Sequence, residues 1–366
     1  MARSFLALGC DVVLAYIPTD SERRVRRVHA LPDAIELLPL ARSVLPIHKQ
    51  FWPRPGVRAA LEHAHARLWS RRAIGRILEH GAVDVVLVRE PLLALEAVRR
   101  GVPVILEVHG LPEGAAACAL LRQAATQPTV ATFAVTDLLR ADLLEAGAVD
   151  HRCLVAHDAV DPHAFEDESG RDEVRRSLDL APGRPLAGYC GSMHSNRGVD
   201  VLLEAAGLMD EIDVLVLGPR LGPDLPANVR PLEHVRHHQV GPHLAACDVL
   251  VLPGRSEDHY ARHSSPLKLF EYMASGRPIV ASDLPGLREV VTHGETAWLV
   301  TPDDPAALAA GVRQVLSLPD RGASLGARGR AAVAGRTWTN RARAMLAAVG
   351  LEPPGPPPTP GSGQGG

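Results

Sequence analysis

The sequence predicts an α/β protein made of two doubly wound, parallel-sheet domains. Short β-branched runs alternate with longer helical patterns along the chain. The runs have continuous apolar stretches instead of strict alternation, which indicates strands covered on both faces. A charge-segregated, Pro/Gly-rich stretch divides the runs into two series. A length of 366 residues suits two domains that each bury a core of their own.

The first series is "DVVLAYI" (11–17), "VDVVLVRE" (83–90), "VPVILEVH" (102–109), "TFAVT" (132–136) and "RCLVAHD" (152–158). The second is "PLAGYCG" (185–191), "DVLVLG" (213–218), "DVLVLP" (248–253), "PIVASD" (278–283) and "AWLVTP" (297–302). Helical patterns such as "GVDVLLEAAGLM" and "PAALAAGVRQVL" supply the crossovers between strands. Between the series, "PHAFEDESGRDEVRRSLDLAPGRP" (162–185) is acidic, then basic, then rich in Pro and Gly. The expected organisation is a first domain over 1–165, a linker over 166–184, a second domain over 185–335, a terminal helix over 336–350 and a disordered tail over 351–366. That tail, "EPPGPPPTPGSGQGG", has too few apolar residues to build a core. A doubly wound domain ordinarily opens on its central strand and a Gly-rich turn. Here the chain opens on helix-like "ARSFLALGC", so the first strand of the first domain is expected to be missing, through a misplaced start or a truncation.

Composition narrows the function. A formal charge of −3 and a pI near 6.6 argue against bulk attraction to nucleic acid or acidic membranes. The five cysteines are scattered and lack a CxxC spacing, which suits small buried hydrophobes in a reducing, cytoplasmic setting. No apolar run reaches the roughly 18 residues of a membrane span, and peripheral membrane contact is left open.

The chemistry concentrates in "SSPLKLFEYMASGRPIVASDLPGLREVV", which begins at Ser264. Ser264 or Ser265 can cap a helix, Pro266 suits its first position, and Gly276 suits the left-handed residue after its last turn. The tip of this helix, at Ser265, Pro266, Leu267 and Lys268, presents backbone donors and a positive dipole end to an anion. Lys268 is a cation placed where the dipole disfavours one, and Glu271 follows on the same face. The competing reading is a solvated Lys268–Glu271 ion pair. A second tip lies in "LAGYCGSMHSNRGVDVLLEAAG" (186–207), a strand, a loop containing Gly191 and Ser192, and a helix from about Gly198. Arg197 there is again a cation at a helix start. The two cations together suggest one diphosphate held by Arg197 and Lys268.

The segments "GVPVILEVHG", "TDLLRADLLEAG", "LVAHDAVDPHAF", "GSMHSNRGVDVLLEA", "AACDVLVLP", "SPLKLFEYMASGRPIVASDLPGLREVV" and "GETAWLVTPDDP" resemble, in order and spacing, glycosyltransferase family 4 of the GT-B glycosyltransferases. The likeness is to the branch with "SPLKLFEYMASG" and covers about residues 7–350. It implies two Rossmann-like domains facing a cleft, a terminal helix that crosses back to the first domain, and a nucleotide-diphosphate sugar as donor. Transfer with retention of configuration and independence from a bound metal or other permanent cofactor are also implied. The acceptor would be a glycan, a lipid-linked group or a small molecule.

Carried over by position, the family's Gly-Arg pair becomes Gly191-Ser192, and its diphosphate-binding lysine becomes Arg197. Lys268 is then a replacement for the missing arginine. Of the family's two glutamates, Glu271 matches the ribose-binding one, while His263 stands in place of the other. Gly218 resembles the glycine that lets the nucleotide approach the sheet, and His234 and Val235 the loop that frames the base. His109, at a strand end, resembles a histidine near the transferred sugar and is the candidate catalytic group. The histidines between 234 and 243 have no regular ligand spacing, so no metal is expected there. The alternative is a GT-B-like nucleotide-binding protein without transfer activity, favoured by Ser192 and His263. A dehydrogenase is disfavoured because no Gly-x-Gly-x-x-Gly turn follows a strand.

Overall fold

The structure, a computed structural model, describes residues 1–17, 22, 26, 31–40, 55–165, 171–180, 183–192, 197–218, 222, 224–233, 235–257 and 261–355. The chain separates into two compact units. One comprises Met1–Ala134, Arg140–Ala156 and the described part of Thr339–Gly366, the other Val135–Leu139 and His157–Trp338.

The first unit carries α1 (Ala2–Ala7), β1 (Val13–Tyr16), β2 (Glu36–Pro39), α2 (Pro55–His80), β3 (Val86–Val88), α3 (Pro91–Arg99), β4 (Val104–Val108), α4 (Ala115–Ala125), β5 (Val130–Ala134), α5 (Asp137–Glu145, whose first turn clusters with the second unit) and β6 (Cys153–Val155). Strands β3-β4-β5-β6 form a parallel sheet in that order, and β1 and β2 pair in parallel with Val13 opposite Glu36. The residues of β4 and β5 are all buried, which explains why they are apolar apart from Glu107 and Thr132.

The second unit continues with α6 (Arg171–Ser177), β7 (Leu186–Cys190), α7 (Val199–Gly207), β8 (Asp213–Leu217), β9 (Val229–Leu232), α8 (His237–Ala246), β10 (Val249–Leu252), α9 (Leu267–Ser275), β11 (Ile279–Ser282), α10 (Pro285–Arg288), β12 (Trp298–Val300), α11 (Pro305–Ser317) and α12 (Ala323–Val333). Its parallel sheet has the order β12-β11-β10-β7-β8-β9. The chain therefore starts in the middle, winds outward through β8 and β9, then returns to build the other half from β10. The point of reversal lies between β7 and β10, where Ala187 faces Val249. Gly188 makes that contact feasible, since a Cβ there would come 2.3 Å from the Cys247 sulfur. One apolar layer, with Tyr189, Leu202 and Val312, covers one face. Another, with Leu186, Phe270 and Tyr272, covers the other. The last helix, α13 (Trp338–Ala348), buries Met345 against Ile105 and Phe133 of the first unit.

All ten expected strand runs overlap strands, and two further strands, β2 and β9, were not expected. Both contain a proline, Pro39 and Pro231, and both lie at a sheet edge, where a missing N–H is tolerated. Within the stretch read as a linker, Arg171–Ser177 form a helix anchored to the second unit by Arg171 and Arg175, which pair with Asp248 at 3.0 and 3.4 Å. The tail expected to be disordered is ordered at its start. Gly355 N–H donates to Leu8 O at 3.1 Å, and Leu351 packs against the cluster of Leu8, Ala342 and Leu346. Residues 356–366 lie outside the described residues. Among the described residues no helix is long and apolar enough to cross a membrane.

Candidate functional site

Two loops leave the sheet at its point of reversal. After β7, Gly191 N–H donates to Leu217 O at 2.9 Å, which fixes the loop's departure beside β8. The loop re-enters α7 through Gly198, whose φ of +64° suits glycine. A Cβ on Gly198 would come 3.0 Å from the Gly254 nitrogen in the loop after β10, so the two loops approach closely. A pocket opens beside them, lined by Arg197, Gly254, Arg255, Ser264, Pro266 and Lys268. The structure thus brings the two cations singled out from the sequence to one place. Arg255 is already committed, pairing with Asp200 and, at 3.2 Å, with Asp303. Arg197 has no carboxylate within ion-pair distance among the described residues.

Helix α9 starts one residue later than expected, with Pro266 as its N-cap and no side chain capping it. The expected serine cap is corrected: Ser265 Oγ instead accepts the N–H of Asp158 at 2.9 Å. The backbone donors of the first turn are therefore left without a side-chain partner. At the other end Gly276 takes the left-handed conformation, with φ of +70°, as expected.

Lys268 and Glu271 do not pair with each other. Lys268 Nζ donates to Tyr189 Oη at 2.9 Å and stands 4.3 Å from the centre of the Tyr189 ring. Tyr189 in turn donates to Ser192 O at 2.8 Å. The lysine arm fills the space beside Gly191, where a Cβ would come 2.6 Å from Nζ. Burial, then the neighbouring Arg197, push the Lys268 ammonium down to about 8, against the opposing pull of Cys190 and Glu271. Burial also pushes the Cys190 thiol up to about 12. Glu271 is buried one turn deeper, its Oε1 3.2 Å from His237 Nε2.

Gly218 sits at the end of β8, its N–H donating to Leu232 O at 2.9 Å. Val235 packs against the core beneath, His234 lies outside the described residues, and His263 is buried. In the first unit His109 follows β4, half-exposed, with Nε2 3.2 Å from Oε1 of the buried Glu107. That carboxylate also meets Arg341 at 2.7 Å and Arg89 at 3.0 Å. Burial opposes its ionisation, but His109, Arg341 and Arg89 together hold it well below the usual carboxylate range.

Tyr189, Glu107 and Arg341 were not anticipated, nor was the approach of His237 to Glu271. Tyr189 left a signal: a tyrosine inside an otherwise apolar strand needs a partner for its hydroxyl.

One grouping among the described residues has ligand atoms within 4.8 Å of one another, namely Asp137, His157 and Glu289. The Glu289 carboxylate accepts the N–H groups of Asp137 and Leu138 at 2.6 and 2.8 Å, so it caps α5. The positive end of that helix, with Arg336 near His157, disfavours a cation there.

Residues 184–318 match the family described as glycosyl transferases group 1. A D-inositol 3-phosphate glycosyltransferase of Xylanimonas cellulosilytica is 31% identical over 206 residues, 52% of this chain and 48% of the relative. Its counterpart in Streptomyces scabiei is 27% identical over 364 residues, 86% of this chain and 78% of the relative. The chain thus spans about half the length of the first of these relatives. Among solved structures, HepE of Anabaena in complex with UDP and glucose superposes with a TM-score of 0.71 at 16% identity, covering 95% of each chain. Sucrose-phosphate synthase from Thermosynechococcus elongatus gives 0.72 at 17% identity, covering 94% of this chain and 89% of that one. The chain has the GT-B fold, and its segment 184–318 resembles glycosyl transferases group 1.

Proposed function

We propose that the chain is a glycosyltransferase that moves a hexosyl group from a nucleotide-diphosphate sugar to an acceptor hydroxyl with retention of configuration. The observation that carries this reading is the meeting of Arg197 and Lys268 in one pocket at the reversal point of the sheet, beside an uncapped helix tip. The reaction breaks the bond between the sugar C1 and the β-phosphate oxygen. Its electron pair leaves with the nucleoside diphosphate, while the acceptor oxygen bonds C1 and gives up its proton. Arg197, Lys268 and the amides of Leu267 and Lys268 would stabilise the charge that develops on the leaving group. Gly191, Ser192, Ser265 and Pro266 shape the phosphate cradle in this reading. Glu271 would accept from ribose hydroxyls, Gly218, His234 and Val235 would frame the nucleoside, and His109 would hydrogen-bond the sugar or handle the acceptor proton. No permanent cofactor or metal enters the scheme. A cytoplasmic setting with peripheral membrane contact belongs to the same proposal.

UDP is the first donor base to test, because HepE was solved with it. A polyol phosphate is the first acceptor, because of the names of the relatives. The assay is product formation by the purified chain with a panel of nucleotide sugars. Lys268→Ala should lower turnover about 10²-fold, as loss of a transition-state donor does. Unchanged turnover removes Lys268 from the mechanism. The second reading, a nucleotide-binding protein without transfer, is favoured by Ser192 and His263. It predicts nucleotide binding with neither transfer nor hydrolysis for any sugar.

A further inference from the structure

The sequence contains only two lysines, Lys49 and Lys268, against a large excess of arginine. The lysine at 268 is therefore an exception to the chain's own habit, and the structure offers a reason. The space beside Gly191 is narrow: a single Cβ placed there would lie 2.6 Å from Nζ and 2.9 Å from Cδ. A planar guanidinium is broader than an ammonium and needs its fork of partners in one plane. The ammonium is a compact charge, and a single phenolic oxygen and ring serve it. Tyr189 supplies both, accepting from Nζ at 2.9 Å with its ring centre at 4.3 Å. The phenol is itself fixed, being buried and donating to Ser192 O at 2.8 Å. The charged or titratable groups facing Lys268 are Arg197 before α7, Cys190 on β7 and Glu271 on its own helix.

We propose that Tyr189 is the positioning residue of the site, holding the Lys268 ammonium over Gly191 so that it meets the phosphates of a nucleoside diphosphate together with Arg197. This inference rests on the proposed donor chemistry for its ligand, while the hold of Tyr189 on Lys268 stands on geometry alone. Tyr189→Phe keeps the ring and removes the hydroxyl. With its acceptor gone, the ammonium loses a hydrogen bond that favours the charged form. Lys268 should then titrate at lower pH.

Two lysines make a direct reading practical. Protein labelled with 13Cε-lysine gives one resonance for each, and Lys49→Arg assigns them. The wild-type Lys268 resonance should titrate near pH 8. In Tyr189→Phe its midpoint should fall by about 1 pH unit, and UDP should bind about 10-fold more weakly at pH 7. Tyr189→Leu, which removes the ring as well, should shift the midpoint further down and serves if the first variant folds poorly. An unchanged Lys268 midpoint in both variants overturns the positioning role, as does UDP affinity in both variants equal to that of a wild type that binds UDP. If the wild type binds no UDP, the donor assignment fails, and the resonance shift still decides whether Tyr189 holds Lys268.

Discussion

UDP binding at pH 8 should draw protons from solution, and Lys268 is the group that takes them up. In the free chain burial and Arg197 depress this lysine from its ordinary 10.5 to about 8, so at pH 8 it is about half-protonated. The gap corresponds to about 3 kcal/mol of disfavour toward the ammonium. A diphosphate beside the ammonium opposes that disfavour and raises the titration midpoint toward the ordinary value. The phosphate oxygens of UDP are already ionised at pH 8, since such groups lose their last proton near pH 6. Net uptake should therefore approach about half a proton for each UDP bound. Affinity should fall as pH rises through the free-state value, by about 100-fold between pH 7 and 10 if the full gap is recovered.

The sign for stability runs the other way. Between pH 8 and 10.5 the folded chain binds fewer protons at this site than the unfolded chain, so the ligand-free fold gains stability from this group as pH rises. The assay is calorimetric titration of UDP at pH 8 in two buffers of different ionisation enthalpy, which yields the protons exchanged. Lys268→Met should abolish the uptake along with most of the affinity. Tight UDP binding without proton uptake, or uptake that survives in Lys268→Met, refutes the reasoning.

Arg197→Ala should weaken UDP binding by at least about 10-fold. It should also raise the Lys268 midpoint, because a neighbouring like charge is removed; 13C titration checks both signs. Gly191→Ala places a Cβ 2.6 Å from Lys268 Nζ and should displace the ammonium. UDP affinity should fall, and the thermal midpoint should fall with it because the backbone at Gly191, with φ of +157°, disfavours a side chain; calorimetry reads both. Arg341→Met removes the buried cation from the Glu107 carboxylate, leaving it the more exposed Arg89 and His109, and should cost about 3 kcal/mol in urea unfolding. Adding Glu107→Gln should return much of that loss.

The strand runs, the division into two series and the helix opening near Pro266 were legible because each rests on local physics. Both-face burial writes an unbroken apolar run, and a left-handed residue after a helix asks for glycine, as at Gly276. The sequence also singled out Arg197 and Lys268, since a cation at a helix start stands against the dipole wherever the helix is placed. It did not show β9, whose proline is tolerable only because the strand falls at the sheet edge. Nor did it show that Lys268 leaves Glu271 for Tyr189, or that Ser265 serves Asp158 instead of its own helix. The partners of a side chain 79 or 107 residues away are chosen by strand order and packing. By itself the sequence determined which residues carry charge and which segments are buried. The tertiary structure alone decided which charges meet, because the reversal of strand order between β7 and β10 brings together loops that the chain keeps far apart.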